Sequence, residues 1–115
     1  MIVDLTFLQE ATDGNKELIQ QLVDLFREQV DEFRGEMEDS LAENDAERLR
    51  KVAHKAKGSI SALGMMDVRA SLQEMEDVCI GYNGGSLKEE LGKKVESFLR
   101  DIRQALSELD EYLAS

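Results

Sequence analysis

Apolar side chains between Leu18 and Leu41 recur every three or four positions: Leu18, Leu22, Leu25 with Phe26, Val30, Phe33, Met37 and Leu41. That spacing makes one stripe along an α-helix roughly seven turns long, and it does not match a strand, whose faces alternate every two residues. A helix of this kind cannot bury its stripe alone, so the rest of the chain must supply partners. Asn44 and Glu47 form an N-x-x-E start, after which Leu49, Val52 with Ala53, Ala56, Ile60 and Leu63 carry a second stripe to Gly64. Val68, Leu72, Met75 and Cys79 make a third before the turn cluster Gly81-Tyr82-Asn83-Gly84-Gly85. Ser86 and Glu89 form a capping box for a fourth, through Leu87, Leu91, Val95, Phe98, Ile102, Leu106, Leu109 and Leu113. Ahead of these, Leu5, Leu8 and Ala11 sit behind a Thr6 to Gln9 capping box and stop at Asp13-Gly14-Asn15, which predicts a short helix.

Connections of a few residues force consecutive helices to reverse direction. The expected fold is therefore all-α: an antiparallel up-down-up-down four-helix bundle with a short N-terminal capping helix, one domain over residues 1–115. Composition agrees, since proline is absent and aromatics are only 5%, which excludes an all-β fold built on aromatic runs and Pro/Gly turns. No apolar run approaches the ~20 residues that span a bilayer, and the N-terminus has neither a basic n-region nor an apolar h-region, so a cytoplasmic protein is expected. A single cysteine, Cys79, and a single histidine, His54, are too few for an internal disulfide or a structural zinc site, and no metal or cofactor is expected.

The formal net charge is -11, which argues against nucleic acid or anionic membrane as a partner, because affinity for polyanions comes from Lys and Arg. Its distribution is uneven: residues 1–47 carry 14 acidic and 3 basic side chains, residues 48–66 none and 5, and residues 67–115 carry 11 and 6. The basic island consists of Arg48, Arg50, Lys51, Lys55 and Lys57, with His54 in its middle.

At 100° per residue His54 shares a face with Arg50, Lys51, Lys57, Gly58 and Ser61, while Ala53, Ala56 and Ile60 point into the bundle. A lone surface histidine is ordinarily just solvated. Two details argue for more. Gly58 weakens a helix interior by roughly 1 kcal/mol relative to Ala, a choice that makes sense where a side chain would obstruct something approaching the imidazole. Lys51 and Lys57, three residues before and after His54, favour a dianionic phosphoryl group there and disfavour a metal cation.

The stretch Ala53-His54-Lys55-Ala56-Lys57-Gly58-Ser59-Ile60-Ser61-Ala62-Leu63-Gly64 resembles the signature of histidine-containing phosphotransfer (HPt) domains: His, any residue, apolar, Lys, Gly, small, and another Gly ten residues after the His. The layout of the whole chain is similar to that family's as well. The resemblance implies a phosphocarrier rather than an enzyme. His54 would accept a phosphoryl group from, and return it to, the Asp of a response-regulator receiver domain, with a hybrid sensor histidine kinase as a further partner. Lys57 and Gly58 fall on the family's Lys and Gly, and Arg50, Lys51, Lys55 and Ser61 flank them as candidates for phosphoryl stabilisation or partner docking. The chain itself has no P-loop and no Asp cluster for Mg²⁺, so the ion is expected in the receiver. Two positions depart from the family pattern. Ala56 stands where a larger aliphatic residue is usual, and Glu76, 22 residues after His54, stands where some members use Gln to hydrogen-bond the acceptor. Glu76 could orient His54 through Nδ1–H, or it could be one more solvated acid in the run Glu74, Glu76, Asp77.

Met65 and Met66 read as closing the bundle end, Cys79 as a small buried hydrophobe, and Tyr82 as an unexplained turn residue. The expected state is a monomer. The competing function is a catalytically silent helical adaptor whose acidic faces bind a basic protein partner, for which the net charge is the supporting feature.

Overall fold

The structure is a computed structural model covering all 115 residues. It contains five helices and no strand: α1 (Leu5–Ala11), α2 (Lys16–Ala42), α3 (Ala46–Ala62), α4 (Met66–Ile80) and α5 (Leu87–Ala114). Each of α2 to α5 packs on two others in a closed ring, α2 on α3 and α5, and α4 on α3 and α5. Paired residues count up one helix as they count down its neighbour: His54 with Glu76 and Lys57 with Gln73 across α3 and α4, Lys16 with Ser115 and Arg27 with Asp110 across α2 and α5. The bundle is 47 Å long and about 20 Å across. At 1.5 Å per residue the 27 residues of α2 and the 28 of α5 run nearly its full length.

Twenty-five buried hydrophobic residues form one continuous core. The stripes on α3 and α4 are buried as expected, at Leu49, Val52, Ala53, Ala56, Ile60 and at Val68, Leu72, Met75, Cys79. On α2 the seam is displaced. Ile19, Val23, Phe26, Phe33 and Met37 are buried, whereas Leu18 and Leu25, placed on the stripe by sequence, are exposed. The buried set continues through half-buried Val30 in steps of four and three, the register of a bundle seam, and Leu18 and Leu25 fall on its flank. On α5, Ala105 and Glu108 join the buried face, and Leu106 is only half-buried.

Two helix starts also differ from expectation. The α1 cap is Asp4, whose carboxylate accepts from Phe7 N at 3.1 Å, and Thr6 and Gln9 lie inside the helix. Asp4 wins because the residues before it are already tied down: Asp4 N donates to Gly64 O at 3.1 Å, and Ile2 N and Val3 N donate to the carboxylate of Glu108 at 3.0 Å. The α3 cap is Asp45, accepting from Arg48 N at 3.0 Å, rather than Asn44. Asn44 has φ +57° and does another job: its Oδ1 accepts from Leu87 N at 2.7 Å and its amide donates to Gly85 O at 2.9 Å. Tyr82 joins this contact by donating its hydroxyl to Gly85 O at 2.7 Å, so the α2–α3 and α4–α5 connections are stapled together at one end of the bundle. At the other end Gly64 has φ +72°, and a Cβ there would lie 2.8 Å from the Phe7 ring, which fixes glycine at the close approach of α1 to the α3–α4 turn.

Candidate functional site

His54 lies at the centre of α3, and its side chain is 70% exposed. Burial of Ala53 and Ala56 on the same helix orients it, because a residue one after the first and two before the second is turned about 100° and 160° away from them, toward the opposite side. Across the groove, Glu76 on α4 is buried with a side chain only 6% exposed, and its Oε1 lies 3.0 Å from His54 Nδ1. An ionised carboxylate only accepts hydrogen bonds, so this contact places the imidazole proton on Nδ1 and leaves the Nε2 lone pair free. Glu76 is therefore not a solvated member of an acidic run. It sits on the buried face with Leu72, Met75 and Cys79.

The second Glu76 oxygen, Oε2, makes no directed hydrogen bond and meets the Lys57 ammonium as an ion pair. Lys57 also donates to Gln73 Oε1 at 2.7 Å, and Gln73 Nε2 donates to Asp77 Oδ1 at 3.0 Å. Gln73 was not singled out by the sequence. The signal was present in its position three residues before Glu76, on the same side of α4, but a glutamine on a helix exterior carries no mark of its own.

The remaining residues of the basic island separate into two sets. Arg48 is held by Glu43 and Asp39, and Arg50 by a two-pronged contact with Glu47 at 3.0 and 2.6 Å. That contact raises the Arg50 guanidinium above its ordinary value and lowers the Glu47 carboxyl. Lys51 and Lys55 are exposed and form no ion pair. Ser61 is half-buried and makes no side-chain hydrogen bond, whereas Ser59 donates to Gln29 Oε1 of α2 at 2.7 Å. Gly58 faces open space, with nothing within 4 Å of where its Cβ would stand, so no contact inside the chain requires a glycine there. It opens on a shallow groove between α2 and α3 lined by Leu22, Leu25, Gln29 and Ala62. Cys79 is buried one turn beyond Glu76, and burial pushes its thiol up to about 11. No group of three or more His, Cys, Asp or Glu side chains is arranged to hold a metal ion. No helix is long and apolar enough to cross a membrane.

These features define a class: a helical bundle that presents one imidazole to solvent, backed by a buried carboxylate on the neighbouring helix. The family description "Hpt domain" matches residues 21–112, most of the chain, and the protein belongs to that family. Hpt domains are phosphocarrier modules of two-component phosphorelays, which pass phosphoryl groups through histidine and interact with receiver domains and kinases. No curated protein and no solved structure matches the chain.

Proposed function

We propose that His54 is the phosphoryl acceptor of this chain, exchanging the group with the aspartate of a response-regulator receiver domain and linked through the relay to a hybrid sensor histidine kinase. The observation that carries this reading is the contact between an exposed imidazole and a buried carboxylate at 3.0 Å. A histidine that is merely solvated has no need of a buried acid, whose removal from water costs several kcal/mol unless it is well paired.

The chemistry follows from the tautomer. The Nε2 lone pair attacks phosphorus of an aspartyl phosphate in line, the N–P bond forms as the acyl O–P bond breaks, and the aspartate leaves as a carboxylate. The imidazole becomes a phosphoimidazolium with its proton still on Nδ1, and its new positive charge faces Glu76 Oε1. In the return step the aspartate carboxylate attacks phosphorus, the N–P bond breaks and neutral imidazole is restored. No proton has to leave in either direction. The receiver brings Mg²⁺ with its own acidic residues, and Lys51 and Lys55 supply unpaired positive charge on the face of α3 that carries His54. Gly58 and the groove beside it, with Leu25 half exposed at 52%, give that partner room and an apolar contact next to the imidazole.

Incubation with a phosphorylated receiver domain and Mg²⁺ should place an acid-labile phosphate on the chain, ATP alone should place none, and His54→Gln should abolish the label. Label retained by His54→Gln assigns the acceptor elsewhere, and a chain that takes no label from any of a panel of receivers is left with the adaptor role.

A further inference from the structure

The turn between α4 and α5 is pinned on both sides and free in its middle. Gly85 O accepts from the Tyr82 hydroxyl and from the Asn44 amide, and Ser86 caps α5. Between these anchors Asn83 and Gly84 are exposed, and no backbone amide from Asn83 to Ser86 donates to a backbone oxygen. Two of the three asparagines have working side chains: Asn15 caps α2 by accepting from Leu18 N, and Asn44 holds Leu87 N and Gly85 O. Asn83 has no such task, and it is the asparagine that precedes a glycine. Gly84 has φ +116°, and it carries no Cβ to obstruct a neighbouring side chain that folds back on its nitrogen.

We propose that Asn83 is a site of spontaneous covalent modification, deamidation through a cyclic imide with Gly84, and that its isoaspartyl product loosens the staple at this end of the bundle. This is independent of the role of His54. The Gly84 amide nitrogen gives its proton to solvent base and attacks Asn83 Cγ. A C–N bond forms, the bond from Cγ to Nδ2 breaks, and the side-chain nitrogen takes a solvent proton and leaves as ammonia. Water then opens the ring: breaking the new bond gives aspartate, and breaking the original peptide bond gives isoaspartate, whose main chain runs through Cβ and Cγ. Overall one water is consumed and one ammonia released. The aspartate alters only an exposed side chain. The isoaspartate lengthens the main chain between Tyr82 and Gly85, so Gly85 O cannot keep both donors unless the turn moves.

The chain holds its own contrast in Asp13-Gly14, where the same ring could form. There the Gly14 amide donates to Gln9 O at 2.8 Å and Asn15 N donates to Thr12 O at 3.1 Å, so the attacking nitrogen is committed to closing α1. Sequence alone makes both pairs reactive; the fold restrains one and releases the other.

The test ages the full chain in mildly alkaline buffer, with and without denaturant. Peptide mapping by mass spectrometry reads deamidation as NH replaced by O, and an isoaspartate-specific carboxyl methyltransferase with labelled methyl donor reads isoaspartate. Asn83 should react in the native chain within about threefold of its rate in denaturant, as a segment with almost no opening cost does, whereas isoaspartate at Asp13 should form at least roughly tenfold more slowly in the native chain than in denaturant. Asn15 and Asn44 should stay intact in the native chain. Gly84→Ala should slow the reaction roughly tenfold. Since alanine at that φ disturbs the turn, Asn83→Gln, whose imide would need a six-membered ring, should remove it with the backbone unchanged. The purified isoaspartyl form should melt a few degrees below wild type, and Asn83→Asp should melt with wild type. Asn83 protected by folding as strongly as Asp13 overturns the assignment of the site, and an isoaspartyl form that melts with wild type overturns its link to the staple.

Discussion

Glu76 and Glu108 are both buried carboxylates on helices of the same bundle, and they differ in what satisfies them. Glu108 accepts from the backbone amides of Ile2 and Val3 and from the Gln104 side chain, all within the folded chain. Glu76 has one contact to a half-buried lysine and one to an imidazole that is itself open to solvent. The first carboxylate is a clasp that fastens the N-terminal segment to α5. The second is half committed, and its remaining oxygen can act only through His54. Burial of an acid therefore does not mark function; what distinguishes the two is whether the partners are part of the scaffold or part of a reacting surface.

Alanine at each position should separate these roles. Glu76→Ala should cost roughly 10- to 100-fold in the rate of receiver-to-His54 transfer, by analogy with the loss of a group that orients a metal-bound imidazole. Glu108→Ala should leave transfer at the wild-type rate and lower stability by about 2 kcal/mol, since it removes hydrogen bonds to a charged group and strands two backbone donors. Transfer rates and thermal melts of both variants check this, and a slow Glu108→Ala would dissolve the distinction.

The clasp has a pH signature. Burial pushes the Glu108 carboxyl up, but the amides of Val3 and Ile2, Gln104 and the N-terminal ammonium outweigh it and hold the group below the usual carboxylate range. A lowered folded-state value means stability that is present above the ordinary carboxylate pKa and lost as pH falls through the folded one. Denaturant melts should accordingly show the gap between wild type and Glu108→Ala at its largest near neutrality and narrowing in acid.

The sequence did not reveal either carboxylate as buried, for a common physical reason. A Glu in a helix reads as solvent-facing, and the pattern of apolar neighbours places it on the buried face only if the seam is known to within one residue. Glu76 lies next to Met75 and Glu108 next to Leu109, so each could belong to either side of the boundary. The same one-residue margin displaced the seam at the start of α2, where Leu18 and Leu25 continued the spacing of half-buried Leu22 and were read on the stripe, while Ile19 and Val23 carry the seam into the expected Phe26. The stripes of α3 and α4 had no such competitor. Exposure of His54 was legible because Ala53, Ala56 and Ile60 leave it only one direction to face. The partners of Lys57 lie on another helix, 16 and 19 residues away in sequence, and only tertiary packing discloses them.

Gly58 extends the comparison from the buried side of His54 to its open side. Gly58→Gln should raise helix stability by under ~1 kcal/mol through propensity, since nothing lies within 4 Å of the added Cβ, yet slow transfer by roughly tenfold by obstructing the receiver's approach. Stability and activity would then move in opposite directions in one variant. Wild-type transfer in Gly58→Gln would mean that the glycine is tolerated there and has no part in access.

The smallest effect concerns Cys79, which sits one turn past Glu76 and can report on it. Burial is the main reason its thiol is pushed up to about 11, with Arg50 opposing the rise and Glu47, Glu76 and Glu90 adding to it. At neutral pH the native thiol should therefore react slowly with iodoacetamide, and at the ordinary rate only after unfolding, because the thiolate is the nucleophile. Removing one nearby negative charge should favour the thiolate slightly. Glu76→Gln should lower the pH midpoint of alkylation by a fraction of a unit, whereas Glu108→Gln, which does not act on this thiol, should leave it in place. An equal response to both substitutions would show that the thiol senses general loosening of the bundle rather than the charge at residue 76, and the two carboxylates would then be indistinguishable by this probe.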